Sequence, residues 1–87
     1  MGTLIDQEVE VTSVYFWRKP NQPGLETYPK RMVYGDREYN FMESGIRYLV
    51  RKGTSLTKLF DMSDGNNTYR LRQDDGRWTL VGMKAGA

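Results

Sequence analysis

A chain of 87 residues makes one domain near the lower end of sizes that fold unaided, with a core that is adequate and not generous. It contains neither cysteine nor histidine, which excludes disulfides, the usual zinc sites, histidine-activated nucleophiles and imidazole acid–base chemistry together. The net charge of +2 is unevenly spread: residues 1–29 hold two basic and four acidic residues, residues 30–87 eleven and seven. The second part leans towards an anionic partner without the basic patch of a dedicated nucleic-acid binder.

No apolar run approaches the roughly 20 residues that span a bilayer, and MGTLIDQEVE is too polar for a secretory signal. The expectation is a cytoplasmic protein without membrane association. Residues 1–7 read as a flexible terminus. Residues 8–18, EVEVTSVYFWR, begin as a period-two strand with Val9 and Val11 opposite Glu8 and Glu10. From Val14 the alternation stops. Either the strand passes from a sheet edge into a barrel interior, or a bulge near Thr12-Ser13 swaps its faces.

Residues 19–29 contain all three prolines and read as a long loop. Residues 30–42 read as a hairpin turning at Gly35-Asp36 by a type II′ or I′ turn. That turn sets Tyr34 opposite Arg37, Met32 opposite Tyr39 and Lys30 opposite Phe41 on one largely apolar face. Arg31, Val33, Glu38 and Asn40 share the other. Residues 44–52 are ambiguous. Ile46, Leu49 and Val50, with Ser44 as N-cap and Gly53 as a stop, favour a short helix, yet Ile46, Tyr48 and Val50 alternate as a strand would. Residues 56–62 read as a strand, followed by the loop SDGNN.

The C-terminal stretch YRLRQDDGRWTLVGM is decided by parity. A two-residue type I′ turn at Asp75-Gly76 pairs Gln73 with Trp78, Leu71 with Leu80 and Tyr69 with Gly82 on an apolar face. Arg72 then meets Thr79, and Arg70 meets Val81. A three-residue loop mixes the faces, and a four-residue loop sets Arg72 against Arg77. Residues 84–87 read as a flexible tail. The whole reads as a mainly β fold: a small antiparallel half-open barrel or twisted sheet of five to six strands, with at most one short helix near 44–52.

Arg70, Arg72 and Arg77, with Lys58 from the neighbouring strand, are the candidate contacts for a partner or for phosphates. The bland alternative is a charged face that solubilises the sheet and blocks edge association, and Asp74 and Asp75 at the turn would repel phosphate. Most aromatics fall on faces assigned to the interior. Tyr28 and Tyr48 are the ones that packing explains least. DMSDGNN lacks the calcium-loop spacing, with Arg72 where the twelfth-position glutamate belongs, and reads as a turn. No nucleophile or glycine-rich phosphate loop accompanies the carboxylates, so the chain is read as neither catalytic nor cofactor-dependent.

PKRMVYGDREYNF followed by YRLRQDDGRWTL resembles short, uncharacterised bacterial β-proteins. These carry an aromatic-x-Gly-Arg-x-Tyr hairpin and a C-terminal Tyr-x-Leu…Gly-x-Trp-x-Leu hairpin. Here Gly35, Arg37 and Tyr39, with Asp36 inserted, match the first, and Tyr69, Leu71, Gly76, Trp78 and Leu80 the second. The match spans roughly residues 29–83 and implies a small β fold with no established activity. The functional expectation is a non-catalytic protein-binding or adaptor module. It would dock an unknown protein, or a second copy, on an open strand edge. The alternative is weak nucleic-acid binding through the arginine strip.

Overall fold

The computed structural model describes residues 2–18, 26–43 and 45–86. Their regular elements are seven strands: β1 (Thr3–Trp17), β2 (Glu26–Tyr34), β3 (Arg37–Asn40), β4 (Ile46–Lys52), β5 (Ser55–Ser63), β6 (Asn67–Asp74) and β7 (Arg77–Ala85). They form one antiparallel sheet in the order β3-β2-β1-β7-β6-β5-β4. The sheet stays open and is not closed into a barrel, with seven strands instead of the expected five to six. Among the described residues no helix is long and apolar enough to cross a membrane.

The shape follows from β1. Fifteen residues of straight strand would run to about 50 Å, whereas the molecule's longest extent is 36 Å. The strand must bend, and two bulges around Val11–Val14 bend it: Val11 pairs with Met32, Ser13 with Arg31 and Val14 with Pro29. Of the two alternatives for the lost alternation, the bulge near Thr12-Ser13 is the one present. A proline that cannot donate to the ladder sits at this irregularity, where its missing N–H is tolerated. Residues 3–9 of β1 pair with β7, while residues 10–17 pair with β2. The bend thereby folds β2 and β3 over the larger β7-β6-β5-β4 layer.

The core lies between the two layers. Tyr28, Met32, Phe41, Phe60, Met62, Tyr69, Leu71 and Leu80 are buried. Tyr28 stacks on Tyr15 and meets Phe60 edge-on at 5.7 Å, and Tyr39 and Phe41 both lean on Tyr69.

Both expected hairpins form. Asp75 (φ 48°) and Gly76 (φ 78°) both have positive φ, as a type I′ turn requires. Leu71 meets Leu80, Arg72 meets Thr79 and Gln73 meets Trp78. Beyond Leu71 the pairing departs from expectation. Val81 is the extra residue of a bulge, so Arg70 faces Gly82 and Tyr69 faces Met83. The first hairpin pairs as expected through Tyr34–Arg37 and Met32–Tyr39, and Phe41 N–H donates to the Lys30 carbonyl at 2.8 Å.

Several expectations are corrected. The segment near 44–52 is not a helix: residues 46–52 form β4, fixed to β5 by the two-residue turn Gly53-Thr54, where Gly53 has φ 62°. A helix there would need a surface to bury its apolar stripe, and Leu49 remains about half exposed at 53%. Ser44 lies outside the described residues. Residues 3–7, read as flexible, are strand, and a register shift between Leu4 and Gln7 accommodates Asp6 at φ 52°. Part of the 19–29 loop is strand too, since β2 begins at Glu26; residues 19–25 lie outside the described residues. The tail is ordered to Ala85 in β7. Tyr28, which the sequence pattern left among the aromatics least explained by packing, is core, whereas Phe16 and Trp17 are exposed beyond the bulges.

Candidate functional site

The sequence placed Arg70, Arg72, Arg77 and Lys58 together, and the structure separates them. Arg70 and Arg72 lie on the convex face, away from Tyr69 and Leu71, and Arg77 shares that face through its pairing with Asp74. Lys58 does not. It pairs with Gln73, which pairs with Trp78, so Lys58 belongs to the concave face. Period-two alternation relative to Phe60 carried that signal.

The convex strip is also largely neutralised. Arg70 grips Asp61 with two charge-assisted hydrogen bonds, Nε to Oδ1 at 2.7 Å and Nη2 to Oδ2 at 2.8 Å. The bond from Arg70 holds the Asp61 carboxyl below its ordinary value, and reciprocally Asp61 raises the guanidinium. The guanidinium also lies over the Tyr48 ring at 5.7 Å, which gives that exposed aromatic a partner. Arg72 Nε lies 2.9 Å from Asp74 Oδ2 without an N–H directed along the contact, so this is an ion pair and not a hydrogen bond. Asp74 Oδ1 accepts from Thr57 Oγ1 at 2.8 Å. Each arginine of the strip that a phosphate would need thus has a carboxylate beside it, and Arg77 stands beside Asp74 and Asp75 at the turn.

A different surface emerges at β4, which the sequence left undecided between helix and strand. It is an outer strand of the sheet, with no described strand on its far side. Both faces of β4 carry exposed apolar side chains: Ile46, Tyr48 and Val50 on the convex face, Leu49 on the concave face, with Leu56 beside it on β5. In a two-residue hairpin the residues flanking the turn exchange both backbone bonds, and pairing alternates from there. Lys52, Val50, Tyr48 and Ile46 therefore bond to β5, whereas Arg51, Leu49 and Arg47 direct their N–H and C=O groups outward. Arg47 closes one end: its Nη1 lies 3.1 Å from Glu26 Oε1 on the opposite layer, and both side chains are mostly buried. Glu26 accepts the Tyr28 hydroxyl as well. The other outer strand, β3, is four residues long and offers little ladder.

The carboxylates with displaced titration are acceptors in structural networks. Asp64 is desolvated, which pushes it up, yet the N–H groups of Asn67 and Asn66 and the Tyr69 hydroxyl outweigh this and hold it low. This is the turn that DMSDGNN suggested. Among the described residues no three metal-binding side chains converge.

Compared with protein-family models, curated proteins and solved structures, the chain matches none.

Proposed function

We propose that this chain is a non-catalytic protein-binding module that takes an extended segment of its partner as an additional strand on β4. The observation that carries the reading is a seven-residue outer strand with three residues' backbone groups facing outward and apolar side chains exposed on both faces. Such an edge invites pairing: it has no proline or bulge, no further described element covers it, and only the cations Arg47, Arg51 and Lys52 guard it. An added strand would satisfy the outward backbone groups, while pockets and side chains on either face choose its sequence. Asp61 and Asp64, held low by their donors, support a structural and not a general-acid role for these carboxylates. The arginine strip, paired with Asp61 and Asp74, lends no support to the nucleic-acid alternative.

Leu49→Pro tests this directly. Its N–H faces outward, so proline removes a donor from the free edge and leaves the β4–β5 ladder intact. Peptides selected on the wild-type chain from a random extended-peptide library should lose binding to Leu49→Pro at least tenfold, with the thermal transition nearly unchanged. Peptides indifferent to that substitution would contradict strand addition on β4.

A further inference from the structure

The strand-addition reading leaves the partner's chemistry open, and the charge pattern of the β4–β5 hairpin narrows it. Resting on that reading, we infer that the added segment is acidic: an extended peptide with apolar residues along its middle and carboxylates at the end beside the Gly53-Thr54 turn.

Residues 45–60 contain Arg47, Arg51, Lys52 and Lys58 and no acidic residue. Glu26 compensates Arg47, but Arg51, Lys52 and Lys58 form no ion pair among the described residues. Their order along β4 matters. A strand laid against the free edge meets Tyr48, Leu49 and Val50 at its centre, then Arg51 on the concave face and Lys52 on the convex face. Lys58 reinforces the concave side, opposite Leu49. Opposite charges across a strand pair stabilise it and like charges destabilise it. An acidic terminus beside the turn therefore fits both faces at once, and it would be steered on approach.

The same pattern disfavours two other occupants. A second copy paired antiparallel about Leu49 would set Arg47 against Arg51 of its mate, and any self-pairing brings together two acid-free 45–60 runs. Single-stranded nucleic acid would meet the cations, but Ile46, Leu49, Val50 and Leu56 offer no stacking surface, and the Tyr48 ring already carries Arg70.

The test uses the full chain and three labelled peptides followed by fluorescence anisotropy. Each is an alternating valine–threonine run flanked at both ends by two glutamates, two glutamines or two lysines. The glutamate peptide should bind roughly three- to tenfold more tightly than the glutamine one, as two exposed ion pairs allow, and the lysine peptide weakest. Arg51→Glu with Lys52→Glu should reverse that order. The glutamate peptide methylated on alternate backbone nitrogens, which leaves the protein untouched, should fail to bind. Equal affinity of all three peptides, each sensitive to Leu49→Pro, would overturn the acidic preference and leave strand addition standing. Binding by none of them would overturn both. Oligothymidylate bound more tightly than the glutamate peptide would overturn the proposal in favour of nucleic acid.

Discussion

Asp64 organises the turn between β5 and β6. Its Oδ1 accepts the N–H groups of Asn66 and Asn67 at 2.8 Å, and its Oδ2 accepts the hydroxyl of buried Tyr69 at 2.7 Å. Asp64→Ala strips the acceptor from all three donors and should cost about 1–3 kcal/mol in urea unfolding. Asp64→Asn, which keeps an oxygen for the backbone donors, should cost less. Titration makes a further prediction. Asp61 and Asp64 are held below the ordinary carboxylate value when folded, so their stabilisation is complete above about pH 4 and is lost on further acidification. Burial raises Tyr15, Tyr28 and Tyr69 above their ordinary value near 10, so the folded state loses stability only as pH climbs past that range. The melting temperature should therefore stay nearly level from about pH 5 to 9 and fall on both sides. A steady slope across neutrality would contradict these assignments.

Among the elements, the junction of β1 and β7 depends on a close approach. A Cβ on Gly82 would lie 2.8 Å from the Thr3 carbonyl oxygen, a backbone atom that cannot swing aside. Gly82→Ala should loosen residues 3–7 from β7, with faster amide exchange there and a lower midpoint. Gly76→Ala meets no atom within 4 Å, and its cost comes from φ alone, about 1–2 kcal/mol. Hairpins of this kind were readable from the sequence, since an Asp-Gly step and alternating residues fix both turn and parity. The bulge at Val81 was not, because the need for Gly82 appears only when Thr3 arrives from far along the chain. β4 was ambiguous for a related reason. Its residue types suit either period, and the ladder with β5 decides.

For the whole molecule, eight buried apolar side chains among the described residues form the core cluster of an 87-residue chain. Phe60 is fully buried and packs on Tyr28 of the opposite layer and Trp78 of its own, so Phe60→Ala should remove about 3–5 kcal/mol, much of what a small domain possesses. That Tyr69, Leu71 and Leu80 would be inside was legible from parity in a single hairpin. That Tyr28 joins them and Phe16 does not was hidden, because a bulge at Thr12 in β1 and one at Lys30 in β2 set which residues beyond them turn inward. The arginine strip shows the same limit. Alternation correctly put Arg70 and Arg72 outside, but Asp61, nine residues before Arg70, comes beside it only through the β5–β6 register. The acid-free run 45–60 was present in the sequence, and it gained meaning once β4 proved to be an outer strand.

Amide hydrogen exchange by NMR on the free chain examines that edge most directly. The N–H groups of Leu49 and Arg51 should exchange at nearly unprotected rates while those of Tyr48 and Val50 are slowed by their bonds to β5. Uniform protection along residues 46–52, or the continuous pattern of a helix, would contradict the open edge on which the binding role depends.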